Sequence, residues 1–230
     1  MTEQLKIPAI NLKNLQFSYH KQGWQLQIPK LTLAAGQHLF VYGSSGSGKT
    51  TLLNLLSGVT QADKGELWLN GQAMHKLSAK QRDLLRAKQI GVVFQQLNLI
   101  SYLSVLDNCL LSSYFAGKNK AEALQRAEAL LMQLAIPQTL WHKPARLLSV
   151  GQQQRVAIVR ALVPKPTILI ADEPTSALDS DNRDSFMQLM LAEASANQCT
   201  VIFVSHDLSL QHYFSAYLDM RHLAKGVQAC

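Results

Sequence analysis

The stretch "GSSGSGKT", Gly43 to Thr50, lies directly between the apolar β-type run "HLFVY" and the apolar helical pattern "TLLNLLSG". It satisfies G-x-x-x-x-G-K-[ST] at every fixed position, with the strand before it and the helix after it that this motif requires. Such a junction makes the backbone turn tightly and aim a row of N–H groups inward just as a helix begins. Gly43, Gly46 and Gly48 permit the turn, and with Ser44, Ser45, Ser47 and Thr51 they form the expected wall of a phosphate cradle. Lys49 is expected to reach the β and γ phosphates of a nucleotide, and the Thr50 hydroxyl to hold Mg²⁺.

A cradle of this kind needs a metal-side carboxylate, usually at the end of a buried strand. "TILIADEP" supplies it, with four apolar residues from Ile168 to Ala171 followed by Asp172 and Glu173. Asp172 is expected to bind Mg²⁺, directly or through water. Glu173 would face the attacking water as general base.

Further short apolar stretches recur as "AINLKNLQF", "GELWLN", "IGVVF" and "TVIFV". Helical patterns separate the later ones, which predicts an α/β chain with a buried and largely parallel sheet. The early stretches lie close together with turn residues between them, notably Asn70-Gly71, so an antiparallel portion is expected before the α/β part. From about Leu77 to Pro144 the pattern is helical. Ser78 is a cap for "AKQRDLLRAKQ", and "KAEALQRAEALLMQLA" sets Leu124, Ala127, Leu131 and Leu134 on one face before Pro137 stops it. This segment is a helical insertion in the α/β body.

With 230 residues, 47% of them hydrophobic, the chain can bury a full core. No apolar run approaches the about 18 residues of a membrane helix, and "MTEQLKIPAI" lacks the regions of a signal peptide, so a cytoplasmic protein is expected. The net charge of +7 comes from scattered basic residues, which argues for a solvated, mildly basic surface and against a nucleic-acid partner. Cys109, Cys199 and Cys230 are odd in number and widely spaced, as expected of reduced thiols rather than a disulfide framework or zinc site.

A second anion site is written at residues 147 to 162, "LLSVGQQQRVAIVRAL". Ser149 can cap this helix and Gln152 can close a capping box, while the first turn carries no acid. The free N–H groups and the dipole then favour a phosphate.

This segment, followed by "ILIADEPTSALD" and "IFVSHD", resembles the ATP-binding cassette (ABC) ATPase family over nearly the whole chain. The resemblance implies a P-loop NTPase fold of the ABC-ATPase type in one domain, 1–230. Its RecA-like core and antiparallel β part take about 1–76 and 145–230, and a helical subdomain about 77–144. In this family two cassettes pair head to tail, so each ATP lies between one copy's P-loop and the other copy's signature helix. Ser149, Val150, Gly151 and Gln152 would therefore serve the partner's nucleotide.

By the same resemblance Tyr19 stacks on adenine, with Trp24 a second candidate. Gln95 is the Q-loop glutamine that touches Mg²⁺ or the attacking water, Asp179 is the acid of the interface loop, and His206 is the switch histidine at the γ phosphate. Val150 departs from the usual L-S-G-G-Q. A β-branched side chain there would crowd the phosphate or restrict φ, giving a working but slower site.

Around the Q-loop, "RAKQIGVVFQQLNLISYLSVLDN" resembles the exporter-type cassettes of the MacB and LolD branch. That implies an ATPase acting on a separately encoded transmembrane permease, at the cytoplasmic face of the inner membrane, with membrane contact through the permease only. Leu97, Leu99, Ile100 and Leu103 either line the permease dock or pack the insertion core. The alternative is an ABC ATPase without a permease, an assembly or remodelling factor. A P-loop kinase or GTPase would lack any use for the signature helix.

Overall fold

The computed structural model describes residues 7–19, 24–176, 178 and 180–225. Asp179 and Cys230 lie outside them. In chain order the main elements are β1 (Ile10–Ser18), β2 (Gln25–Leu33), β3 (Leu39–Tyr42), α1 (Lys49–Leu56), β4 (Lys64–Leu69), β5 (Gln72–Ala73), α2 (Ala79–Gln89) and β6 (Ile90–Val93). They continue as α3 (Val105–Phe115), α4 (Lys120–Gln133), α5 (Val150–Leu162), β7 (Ile168–Asp172), α6 (Ser180–Ala196), β8 (Thr200–Ser205), β9 (Ala216–Asp219) and β10 (Ala224–Lys225). The chain divides into two compact units, Met1–Arg86 with Thr200–Cys230, and Ala87–Cys199. No helix among the described residues is long and apolar enough to cross a membrane.

The first unit contains the antiparallel sheet in the order β10-β2-β1-β4-β5. β1 buries Ile10 and Leu12, then Leu15 and Phe17, so its alternation slips by one residue. Asn14 causes the slip. Its φ is 49° and its pairing with β4 shifts between Lys13 and Gln16, the signature of a bulge. Across from it in β2 stands Pro29, in a ladder that runs from Lys13↔Lys30 directly to Leu15↔Ile28. A proline has no N–H to give, so it sits where the bulge leaves the ladder open. The β4–β5 hairpin closes through Asn70 and Gly71, both left-handed at φ 47° and 77°, as a two-residue turn requires.

In the same unit β8, β3 and β9 run parallel, with β3 paired on both sides. Leu39, Phe40 and Val41 are buried, as expected of a strand covered on two faces.

The second unit pairs β6 with β7 in parallel, Ile90↔Ile168 to Val93↔Ala171. Its helices are capped as their sequences dictate: Ser104 Oγ accepts from Asp107 N, and Asn119 Oδ1 accepts from Ala121 N and Glu122 N. On α4 the buried stripe is Ala123, Ala127, Leu130 and Leu131, with Leu134 at the cap. Leu124, expected on that face, is half-buried, because the stripe runs one position earlier at i, i+4, i+7 and i+8. α4 ends in a left-handed Ala135 at φ 52°, and Pro137 follows as the stop. Asn108, fully buried, fastens the segment before α3 by accepting from Ile100 N at 2.8 Å and donating to Ile100 O at 3.0 Å.

Candidate nucleotide site

In the first unit the phosphate loop leaves the C-terminal end of β3 and winds into α1. Gly48 is the residue before the helix, with φ 95°, a conformation that a side chain resists. Trp24 adds a steric reason, since its ring would lie 2.5 Å from any Cβ placed at Gly48. Gly43 is needed for close approach, because a Cβ there would meet Ser47 Oγ at 2.3 Å. Ser44, Ser45 and Gly46 face solvent, while Ser47 is buried.

Three observations mark this loop as an anion cradle. No side chain caps α1 and no acid occupies its first turn, so its leading N–H groups and its dipole are open to a negative ligand. Ser47 Oγ is buried without a hydrogen-bond partner, an unspent donor inside the loop. Lys49 Nζ bends over the mouth and donates to the loop's own carbonyls, Gly43 O at 2.6 Å and Ser44 O at 3.1 Å.

Beside the loop, Tyr19 follows the end of β1. Its hydroxyl lies 3.3 Å from Thr51 Oγ1, the residue is 59% exposed, and Phe17 meets its ring edge-on at 4.9 Å between centroids. Trp24 lies 6.2 Å from it. Tyr19, Phe17, Gln25 and Asp63 bound a pocket. Asp63 ties the approach to Tyr19 in place, accepting from Ser18 N at 2.8 Å and Ser18 Oγ at 3.2 Å. Sequence reading missed Asp63, whose partner lies 45 residues away with no motif around it.

His206 follows β8 as Gly43 follows β3, and the two strands are in register at Tyr42↔Ser205. The loop and the histidine therefore leave adjacent parallel strands at one edge, the edge where open α/β sheets bind ligands.

The second unit holds the remaining candidates. The pair Val93↔Ala171 brings the ends of β6 and β7 together, so Phe94 and Gln95 emerge beside Asp172 and Glu173. Glu173 is buried and has φ 48°, a left-handed backbone rare for a glutamate. Strain of this kind concentrates at working sites. Gln95 is exposed and lies in a turn closed by Leu97 N donating to Phe94 O at 2.9 Å. Leu97, Leu99, Ile100 and Leu103 are each half-buried.

Helix α5 begins with the expected capping box. Gln152 N donates to Ser149 Oγ at 3.3 Å, and Ser149 N donates to Gln152 Oε1 at 3.0 Å. Val150 is the first helical residue, with ordinary helical backbone and a side chain 54% exposed. Valine therefore costs this helix no φ strain, and crowding of a ligand is the only penalty left open.

Among the described residues no group of three or more His, Cys, Asp or Glu side chains could hold a metal. Oxygen donors such as the Thr50 hydroxyl in the first unit, and Gln95 and Asp172 in the second, are each of the kind Mg²⁺ takes, since it binds through few protein ligands and uses substrate phosphates for the rest.

The family model described as ABC transporter matches residues 26–176. The chain is 39% identical over 209 residues to the lipoprotein-releasing system ATP-binding protein LolD of Saccharophagus degradans, covering 90% of this chain and 91% of that protein. It is 38% identical over 191 residues to the macrolide export ATP-binding/permease protein MacB of a Shewanella species, covering 83% of this chain and 29% of MacB. A solved dimeric structure of a post-hydrolysis state of the ATP-binding cassette MJ0796, bound to ADP and Pi, is similar with a TM-score of 0.80 at 30% identity, covering 96% of this chain and 100% of that one.

Proposed function

This chain belongs to the ABC transporter family, and from that premise we propose that it is the ATP-hydrolysing subunit of an export-type membrane complex, working as a head-to-tail pair with a separate permease. The observation that carries the reading is that one chain holds two helix starts without an acid in the first turn: α1 has no side-chain cap, and α5, whose capping box takes Gln152 N–H, still leaves the N–H groups of Val150 and Gly151 to an anion. One nucleotide has no use for both. Two copies exchanging their α5 termini use each one.

In this reading the P-loop residues Gly43 to Thr51 hold the ATP phosphates and Tyr19 stacks on the adenine. Ser149, Val150, Gly151 and Gln152 close on the partner's γ phosphate, with Asp179 at the same interface. Thr50, Asp172 and Gln95 hold Mg²⁺, which when bound neutralises phosphate charge. Lys49 stabilises the charge that develops on the transferring phosphoryl group. Glu173 accepts a proton from the attacking water, and His206 orients the γ phosphate.

Because half of each site comes from the other copy, hydrolysis depends on closure, and closure is the motion delivered to the permease. The segment from Gln95 to Leu106 is the part we assign to that contact, and the chain would sit peripherally on the cytoplasmic face of the membrane. LolD and MacB, both export or release systems by name, support the export direction.

Affinity purification from detergent-solubilised membranes tests the permease partnership. Recovery of a multi-span membrane protein whose presence alters the ATPase rate supports it. An active ATPase with no membrane partner would favour an assembly or remodelling factor.

A further inference from the structure

The fork of Arg160 closes on two consecutive carbonyls. Arg160 Nη1 donates to Asn98 O at 2.6 Å and Nη2 to Leu97 O at 2.6 Å. Both residues carry left-handed backbones, φ 47° at Leu97 and 50° at Asn98; asparagine tolerates this conformation, but leucine resists it. A leucine strained in this way persists where its surroundings hold it, and the guanidinium grips its carbonyl together with that of Asn98. Leu97 is also the residue whose N–H closes the turn containing Gln95.

The clamp is itself anchored. Arg160 stands in the last turn of α5, where a cation meets the negative end of the helix dipole. The Arg160 carbonyl accepts from Ser112 Oγ of α3. At the other end of the same helix are Ser149 and Val150. About 16 Å of straight helix thus connects the signature terminus to the turn that bears Gln95.

We infer that Arg160 is a positioning residue that fixes the Gln95 turn to the signature helix, so that capture of the partner copy's nucleotide at Ser149 is conveyed to Gln95. Arg160 touches neither nucleotide nor water in this role. Lysine cannot replace it fully, because an ammonium is a point charge without the rigid fork that spans two carbonyls. The inference rests on the ATPase reading above.

Steady-state ATP hydrolysis of Arg160→Ala and Arg160→Lys, with melting temperatures taken alongside, tests it. Arg160→Ala is expected to lower kcat by about tenfold to a hundredfold, while KM for ATP stays within about twofold, because the P-loop is untouched. Arg160→Lys should recover part of the lost kcat. An unchanged kcat in Arg160→Ala overturns the inference, and so does a loss of kcat matched by an equal loss of ATP affinity, which marks general disruption. Should Arg160→Ala fail to fold, Arg160→Lys decides: reduced kcat at constant KM supports the clamp, and wild-type kcat removes it. Lys49→Ala run in the same assay separates the two levels of the account. If that variant keeps full turnover, the reading of the site has failed; if it is dead while Arg160→Ala is fully active, only the clamp has failed.

Discussion

Lys49 Nζ lies 2.6 Å from the carbonyl oxygen of Gly43, so the lysine of the phosphate loop is bonded to the loop that it serves. In the proposed reading the ammonium exchanges these carbonyl partners for phosphate oxygens when ATP enters. Lys49→Ala removes a charged donor and should weaken ATP binding by about 2–3 kcal/mol, read by titration calorimetry. Affinity equal to wild type would show that the amine does not bind phosphate.

Glu173 offers a way to separate chemistry from strain. Glu173→Ala and Glu173→Gly both delete the carboxylate and should both abolish turnover. Only glycine relieves the left-handed backbone at φ 48°. Glu173→Gly should therefore unfold with a stability about 1 kcal/mol above that of Glu173→Ala in denaturant melts. Equal stabilities would mean the conformation at this position is not strained.

At the signature terminus the two neighbours should behave differently. Ser149→Ala breaks the capping box and should cost about 1 kcal/mol of stability. Val150→Gly leaves the box intact and removes an exposed side chain, so it should raise the ATPase rate and favour nucleotide-driven pairing. No change in either would end the crowding argument.

Much of the site was legible because its signals are local. The P-loop, the "TILIADEP" strand end, the Asn70-Gly71 turn and the Ser149–Gln152 box are each specified within a few residues, by spacing that only one backbone arrangement satisfies. β2 was not legible, since Pro29 interrupts its run and only the bulge at Asn14 on another strand makes room for it. The two-residue strands β5 and β10 carry too little pattern to read. Asp63 and Arg160 were invisible for another reason: their partners lie 45 and about 62 residues away, and no periodicity announces such a meeting.

Tyr19 makes two separable contributions. Its ring is free to stack, and its hydroxyl meets Thr51 Oγ1. Tyr19→Phe keeps the ring and should change KM for ATP little. Tyr19→Ala loses a stacking face worth about 1–3 kcal/mol and should raise KM accordingly. Equal effects of the two would assign the role to the hydroxyl.

The account's central claim is that each reaction centre is completed by a second copy of this chain. Light scattering of Glu173→Gln, with and without saturating MgATP, addresses it directly. With the general base removed, the closed pair cannot discharge its nucleotide, so ATP should convert monomers into particles of two copies that persist during the run. Particles that remain single copies at saturating ATP would contradict the claim.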